Sequence, residues 1–285
     1  MSDELMLPSF QRILLITDFS ACSEAAVPFA RIMAERYDAS VVVAHVVPGA
    51  GAATEETTRN KADAAQEAEA EMREFIARNP LGEVPVETVI ERGPVAEALA
   101  ALIKKQGIDL IAVGTHGRSG VGKLLLGSIA QRIFNVASCP VLSVSPRAGK
   151  PFGAAARFPR ILYPTDFSEE SLVALPYALS LARTDDSALV LLHAASEPPR
   201  QEVMQEYYRR LNALVPSHAR KWCKSDALVT VGEPAEAILK SALEQNADLV
   251  VISAHRAEGA FHVPLTTAYQ VVARVHCPVL RVVRS

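Results

Sequence analysis

The sequence contains no run of five or six lysines and arginines, and its formal charge is only -3 over 285 residues. Without a basic face there is little to neutralise a phosphate backbone or an anionic lipid surface, so neither nucleic acid nor membrane is expected as a partner. No apolar stretch approaches the roughly 20 residues that cross a bilayer. The first eight residues carry acids where a secretory leader has a basic start and an apolar core, and a cytoplasmic location is the expectation. Cysteine is sparse: Cys22, Cys139, Cys223 and Cys277 are widely spaced. With no C-x-x-C pair for zinc or redox chemistry, no metal site is expected and the thiols read as inert. The single tryptophan, Trp222, marks nothing by itself. What the chain does have is 49% hydrophobic against 21% charged residues, the balance of a globular protein, and length enough for two domains.

It also has an internal repeat. The segment from Arg12 to Ser20, RILLITDFS, returns from Arg160 to Ser168 as RILYPTDFS, an offset of 148 residues that His45 and His193 share. Pro94 to Leu99 matches Pro234 to Ile238 with Glu97 over Glu236, an offset of 139, which Asp109 and Asp248 keep. SCPVL from Ser138 meets HCPVL from His276 at an offset of 138. Length changes concentrate in surface loops, so loops are expected at the two places where the offset shifts. Residues 146–156 are rich in Gly, Pro and Ala and read as a linker. The expected domains are 1–150 and 151–285, with the boundary near Phe152.

Each copy alternates strand and helix patterns. In copy 1, strands are expected over 13–17, 40–47, 84–90, 110–113 and 141–144. Helices are expected over 22–37, 57–78, 95–105 and, after the glycine segment that ends at Gly127, to about 136. The second strand is apolar throughout, as a parallel strand covered on both faces would be. The long, charged second helix keeps one buried stripe in Ala65, Ala68, Met72, Phe75 and Ile76. The expected fold class is therefore α/β, two tandem doubly wound domains with five-stranded, mostly parallel sheets. Ligands of such sheets sit at the carboxyl ends of the strands, near the switch in strand order. Asp18, Val46 and Gly114 would meet there.

The segment after the fourth strand of copy 1 reads VGTHGRSGVGKLLLGS from Val113 to Ser128. A Walker A loop is excluded because Leu124 stands where a magnesium-binding hydroxyl belongs, and a dinucleotide fingerprint because residue 125 is leucine. What remains is physical: glycines admit close approach of an anion. Gly127 directly precedes an amphipathic helix whose free N–H groups favour phosphate oxygens. Gly114 ends a buried strand, where a side chain would collide with a base or ribose. A glycine-rich turn that merely joins strand to helix is the alternative. His116 and His255, at matching loop positions, read as structural side chains, and His45 and His193 as core residues with a backbone partner. Cys22 falls in the first turn of a helix, whose dipole could lower its pKa.

A first strand ending in Thr-Asp-Phe-Ser, a second ending in His-Val, and Gly-x-x-Gly separated by nine residues from Gly-Ser resemble the universal stress protein family. The resemblance covers nearly the whole chain, one family domain per copy, and so a tandem member. It implies a Rossmann-like, adenine nucleotide α-hydrolase-like fold and ATP, with magnesium, in copy 1. On it, Thr17, Asp18 and Val46 should line the nucleoside, and Val113, Gly114 and Gly117 should pass beneath ribose and phosphates. Gly127, Ser128 and Ile129 should hold the phosphate tail. Ile16 departs from the family pattern, where proline is common. The two copies are expected to pack as an internal pseudo-dimer through their last strands, over 140–144 and 278–283. Further homodimerisation through other faces is left open.

Copy 2 has Ser253 and Arg256 where copy 1 has Gly114 and Gly117, and Leu265-Thr266 for Gly127-Ser128. A degenerate phosphate loop and a vestigial pocket are the expectation there. Thr165, Asp166 and His193 persist, and His255, Arg256 and His262 leave a different anion, or a lipid, as an alternative ligand. No catalytic residue is nominated, and the expected function is a nucleotide-binding regulatory or stress-response module with a protein partner. The alternative is an enzyme, a slow ATP hydrolase or one that transfers phosphate or adenylate.

Overall fold

The computed structural model describes residues 7–47, 55–115, 126–148, 158–183, 187–254 and 266–284. Gly117, His116, His255, Arg256, His262, Leu265 and most of the 146–156 segment lie outside them. The chain divides into two compact units, one from Phe10 to Pro146 and one from Arg147 onward, with which residues 7–9 are grouped. The Ser180 hydroxyl donates to the Pro8 carbonyl at 2.8 Å, tying those first residues to the second unit.

The first unit runs β1 (Arg12–Ile16), α1 (Ala21–Glu24), α2 (Val27–Tyr37), β2 (Ser40–Val47), α3 (Glu55–Arg78) and β3 (Val86–Arg92). It continues through α4 (Val95–Gln106), β4 (Leu110–Gly114), α5 (Ser128–Val136) and β5 (Val141–Val144). Its strands are parallel in the order β3-β2-β1-β4-β5. The chain thus winds outward from β1 in one direction, then returns to wind outward in the other. The crevice between the carboxyl ends of β1 and β4 is the switch point. Ile13, Leu14 and Leu15 of β1, Val41, Val42 and Val43 of β2 and Leu110, Ile111 and Ala112 of β4 are fully buried, because helices cover both faces of the sheet.

The second unit repeats the plan. It runs β6 (Arg160–Pro164), α6 (Glu169–Leu172), α7 (Leu175–Ala182), β7 (Ala188–Ala195) and α8 (Gln201–Leu214). After a 3-10 turn (Ala219–Lys221) come β8 (Lys224–Val231), α9 (Pro234–Glu244), β9 (Leu249–Ser253), α10 (Thr267–Arg274) and β10 (Val279–Val282). The parallel order is β8-β7-β6-β9-β10.

Two expectations need correction. The helix expected over 22–37 is two helices, α1 and α2, with Pro28 in the first turn of α2. A proline ring clashes with the carbonyl four residues earlier and supplies no N–H. Residue 24, four before Pro28, is where α1 ends, and Leu172, four before Pro176, is where α6 ends. The missing residues between the second and third strands of copy 2 come from a helix rather than a loop. α3 has 24 residues and α8 has 14. Of the stripe expected on α3, Ala68, Met72 and Phe75 are buried and Ile76 is half-buried.

Candidate functional site

Where β1 ends, the chain makes a tight clip. The Thr17 N–H donates to the Ala44 carbonyl at 2.9 Å. Its hydroxyl lies 2.9 Å from the Ser23 hydroxyl and accepts the Phe19 N–H at 2.9 Å. Asp18 accepts the Ser20 N–H at 3.1 Å and the Ser20 hydroxyl at 2.5 Å. Ser20 caps α1 by accepting from the Ser23 N–H. Phe19 sits at φ 62°, a region bulky residues rarely adopt. Its ring is held stacked on His45, centroids 4.3 Å apart, and edge-on to Phe75 at 5.9 Å. His45 Nδ1 lies 2.9 Å from the Thr17 carbonyl, which makes that nitrogen the protonated one.

The second unit builds the same clip. The hydroxyls of Thr165 and Ser171 are 2.8 Å apart, Phe167 is at φ 66°, and His193 Nδ1 meets the Thr165 carbonyl at 2.9 Å. Arg210 lies over the Phe167 ring at 3.9 Å. Burial opposes the charge of Asp166, but hydrogen bonds from the Ser168 hydroxyl and N–H and from Ser171 outweigh it and lower its pKa. Both histidines thus have a backbone partner, as expected, but only His193 is buried; His45 is half-buried. Ser23 and Ser171 were missed. Their signal is a serine six residues after the threonine in both copies.

The structure brings Thr17, Asp18, Val46, Val113 and Gly114 to the carboxyl ends of β1, β2 and β4. Ile16 pairs with Ala44 on one side and Val113 on the other. Thr17 is 2% exposed and its hydroxyl is committed to the clip, whereas Asp18 is half-exposed. Gly127, Ser128 and Ile129 start α5, and the Gly127 N–H donates to the Thr115 carbonyl at 2.7 Å. That bond pins the far end of the glycine segment to the end of β4. The N-cap of α5 is Gly127, which has no side chain to accept from the first N–H groups, and the helix dipole puts positive charge at that end.

Gly114 answers first to the fold. A Cβ there would lie 2.3 Å from the Cys22 carbonyl oxygen and 3.1 Å from the Ser23 nitrogen. The collision is with the chain's own α1, not only with a ligand. Cys22 also departs from expectation. Burial and then the charge of Asp18 raise its pKa, so the helix start does not make it a reactive thiolate.

The second crevice differs in a connected way. The β1–β4 ladder runs from Ile13 to Ile16, but the β6–β9 ladder stops after Leu162 pairs with Val250. The Thr165 N–H points to β7, where it donates to the Leu192 carbonyl at 2.8 Å. Amides alternate sides along a strand, so residue 164 should donate to β9, and Pro164 has no N–H to give. Ser253 meanwhile carries a Cβ where Gly114 has none. Between the parted strand ends lies a cavity of about 400 Å3, reached by Pro164, Asp166, Glu170, Ile238, Ser253 and Thr267 among others. The vestigial pocket expected for copy 2 is thus an open one. α10 starts one residue later than the repeat implies, so Thr266 is the N-cap, and its hydroxyl accepts the Tyr269 N–H at 3.3 Å. The helix start with glycine at its N-cap in the first unit has a capping threonine in the second.

Among the described residues no group of three or more His, Cys, Asp or Glu side chains is placed to hold a metal ion. No described helix is long and apolar enough to cross a membrane.

Two doubly wound parallel sheets, each with a crevice at its switch point, define a tandem α/β protein of Rossmann-like fold. The universal stress protein family model matches residues 9–145 and again 157–283. The chain therefore belongs to that family, with two of its domains in tandem. It is 29% identical over 269 residues to a universal stress protein of Mycolicibacterium smegmatis, covering 85% of this chain and 86% of that one. Universal stress protein MJ0531 of Methanocaldococcus jannaschii is 30% identical over 141 residues, 47% of this chain and 82% of the relative. Among solved structures, a universal stress protein from Archaeoglobus fulgidus superposes with a TM-score of 0.72 at 20% identity, covering 96% of this chain and 98% of that one. At that identity it shows the fold alone.

Proposed function

We propose that the protein is an ATP-binding regulatory module whose first unit holds the nucleotide. The observation that carries this reading is the start of α5 with glycine at its N-cap, Gly127, pinned beside the end of β4 by the Gly127–Thr115 bond. Such a helix start suits phosphate oxygens. The residues present fit the group: Gly127, Ser128 and Ile129 would take the phosphate tail through main-chain N–H groups, and Asp18 and Val46 would flank the nucleoside. Bound magnesium would screen the phosphate charge. Another member of the family has been solved in complex with cAMP; for this chain the nucleotide rests on the glycine segment and the helix start.

The reading is of a binding role rather than a catalytic one: among the described residues of the first crevice, Thr17 is committed to the clip and Asp18 to Ser20. Nucleotide occupancy would then alter the contacts of a protein partner in the cytoplasm. Calorimetric titration of the full chain with Mg·ATP should give a stoichiometry near one, with no steady-state turnover. Turnover at enzymatic rates would replace this reading with that of an ATP hydrolase. The proposal also includes an internal pseudo-dimer through the last strand of each copy, since an apolar sheet edge is otherwise a liability.

A further inference from the structure

The two units share a plan but not the chemistry of their outer edges. β3 and β8 are the outermost strands, and among the described residues β2 alone pairs with β3 and β7 alone with β8. An edge strand offers unpaired N–H and C=O groups to any extended chain, and charged side chains are the usual guard against that. β3 is guarded, since its residues include Glu87, Glu91 and Arg92. β8 is guarded only at its start, by Lys224 and Asp226. It then runs Ala227-Leu228-Val229-Thr230-Val231, without charge, glycine or proline, a run of high strand propensity. Val231 is 45% exposed, and the residues from Ala227 to Thr230 are half-buried.

The backbone of that run is set for pairing. Its register against β7 is unbroken from Ala188 beside Lys224 to Ala195 beside Val231, and the Gly232 N–H donates to the Ala195 carbonyl at 2.9 Å. Backbone groups alternate sides along a strand, so residues 226, 228, 230 and 232 face β7. The N–H and C=O groups of Ala227, Val229 and Val231 therefore point away from the sheet. A second β8 laid antiparallel about Val229 sets Val229 against Val229, Ala227 against Val231 and Leu228 against Thr230. Each outward residue then exchanges two hydrogen bonds with the residue opposite. Asp226 falls opposite Gly232 and Ser225 opposite Glu233, so no like charges face one another. The same operation on β3, about Val89, would set Glu87 against Glu91 twice, which is destabilising.

We propose that the outer edge of β8 is a self-association surface, where a second copy of the chain adds its own β8 antiparallel about a two-fold axis at Val229. The partner is a second copy because the uncharged run matches itself residue for residue, with its flanking charges set against uncharged or oppositely placed neighbours. The contact uses neither crevice and neither of the last strands. It is therefore separate from nucleotide binding and from the internal pseudo-dimer.

One strand pair makes a small interface, so a Kd on the order of 100 micromolar is expected. Sedimentation velocity and light scattering of the full chain should show the mass rising with concentration from one chain to two, and no further. In the dimer, hydrogen exchange should slow by about tenfold at amides 227, 229 and 231. Amides 226, 228 and 230, already turned to β7, should change little. Val231→Lys, an exposed change, should keep the chain monomeric at every concentration with the circular dichroism unchanged. Val229→Pro removes an N–H that the fold itself does not use and should do the same. Should Val229→Pro fail to fold, Val231→Lys decides. Val86→Lys, on the guarded edge, should leave the dimer intact. A chain that stays monomeric, a dimer indifferent to Val231→Lys, or one dissolved by Val86→Lys would each overturn the proposal. So would a mass growing past two chains, the mark of head-to-tail pairing of β3 with β8. Dimerisation through the last strands would appear as indifference to Val231→Lys, so the two readings fail separately.

Discussion

Single residues at the two crevices carry separable duties. Gly114 is a glycine because α1 passes within 2.3 Å of where its Cβ would be. Gly114→Ala is therefore expected to lower stability by about 1–3 kcal/mol, as overpacking does, in urea denaturation followed by circular dichroism. Gly127 differs. Its backbone, at φ -59° and ψ 155°, is one any residue adopts, so Gly127→Leu should fold normally. It places a branched side chain at the start of α5 and should abolish ATP binding in a calorimetric titration. Unchanged affinity would put the phosphates elsewhere. Much of the repeated sequence turns out to serve the fold. Asp109 takes the N–H groups of Gln11 and Arg12 at 2.7 and 3.0 Å, and Asp248 takes that of Arg160 at 2.8 Å. Recurrence in both copies marked these residues, but recurrence cannot distinguish a clip from a ligand contact.

Among elements, strands were legible because fully apolar runs have one reading in a parallel sheet. The break between α1 and α2 was obscured because the apolar stripe continues across it, although Pro28 carries the signal. The parting of β6 from β9 was legible only in part. Pro164 is visible as a proline, but which neighbour its missing N–H should have reached depends on strand order. Restoring the first unit's residues, in Pro164→Ile with Ser253→Gly, should let the ladder extend to the end of β9. Each regained hydrogen bond is expected to add about 0.5–1.5 kcal/mol. Hydrogen exchange should show a newly protected amide at position 164. An amide there that exchanges freely would mean that the strands are held apart by something else.

For the whole chain, duplication offers two sites that can diverge independently. If the last strands of the copies satisfy one another, copy 1 expressed alone, ending near Lys150, should associate. Light scattering at high concentration should then give a mass above that of one copy. A monomer with no exposed apolar surface would remove the pseudo-dimer from the proposal. Linking the two edges in one chain raises their effective concentration to roughly millimolar, so the intact chain would favour internal pairing over exchange.

By itself the sequence determined the duplication, the alternation of strand and helix, the family and the glycine segment, because each is a matter of order and period along the chain. It also showed that copy 2 lacks the glycines of that segment. Only the tertiary structure decided what those losses mean. A cavity is set by distances between elements far apart in sequence, here β6, α6 and β9, and no local pattern encodes them. The same three-dimensional fact gives Gly114 a packing role that the sequence did not show: the atom it avoids belongs to Cys22, 92 residues earlier in the chain.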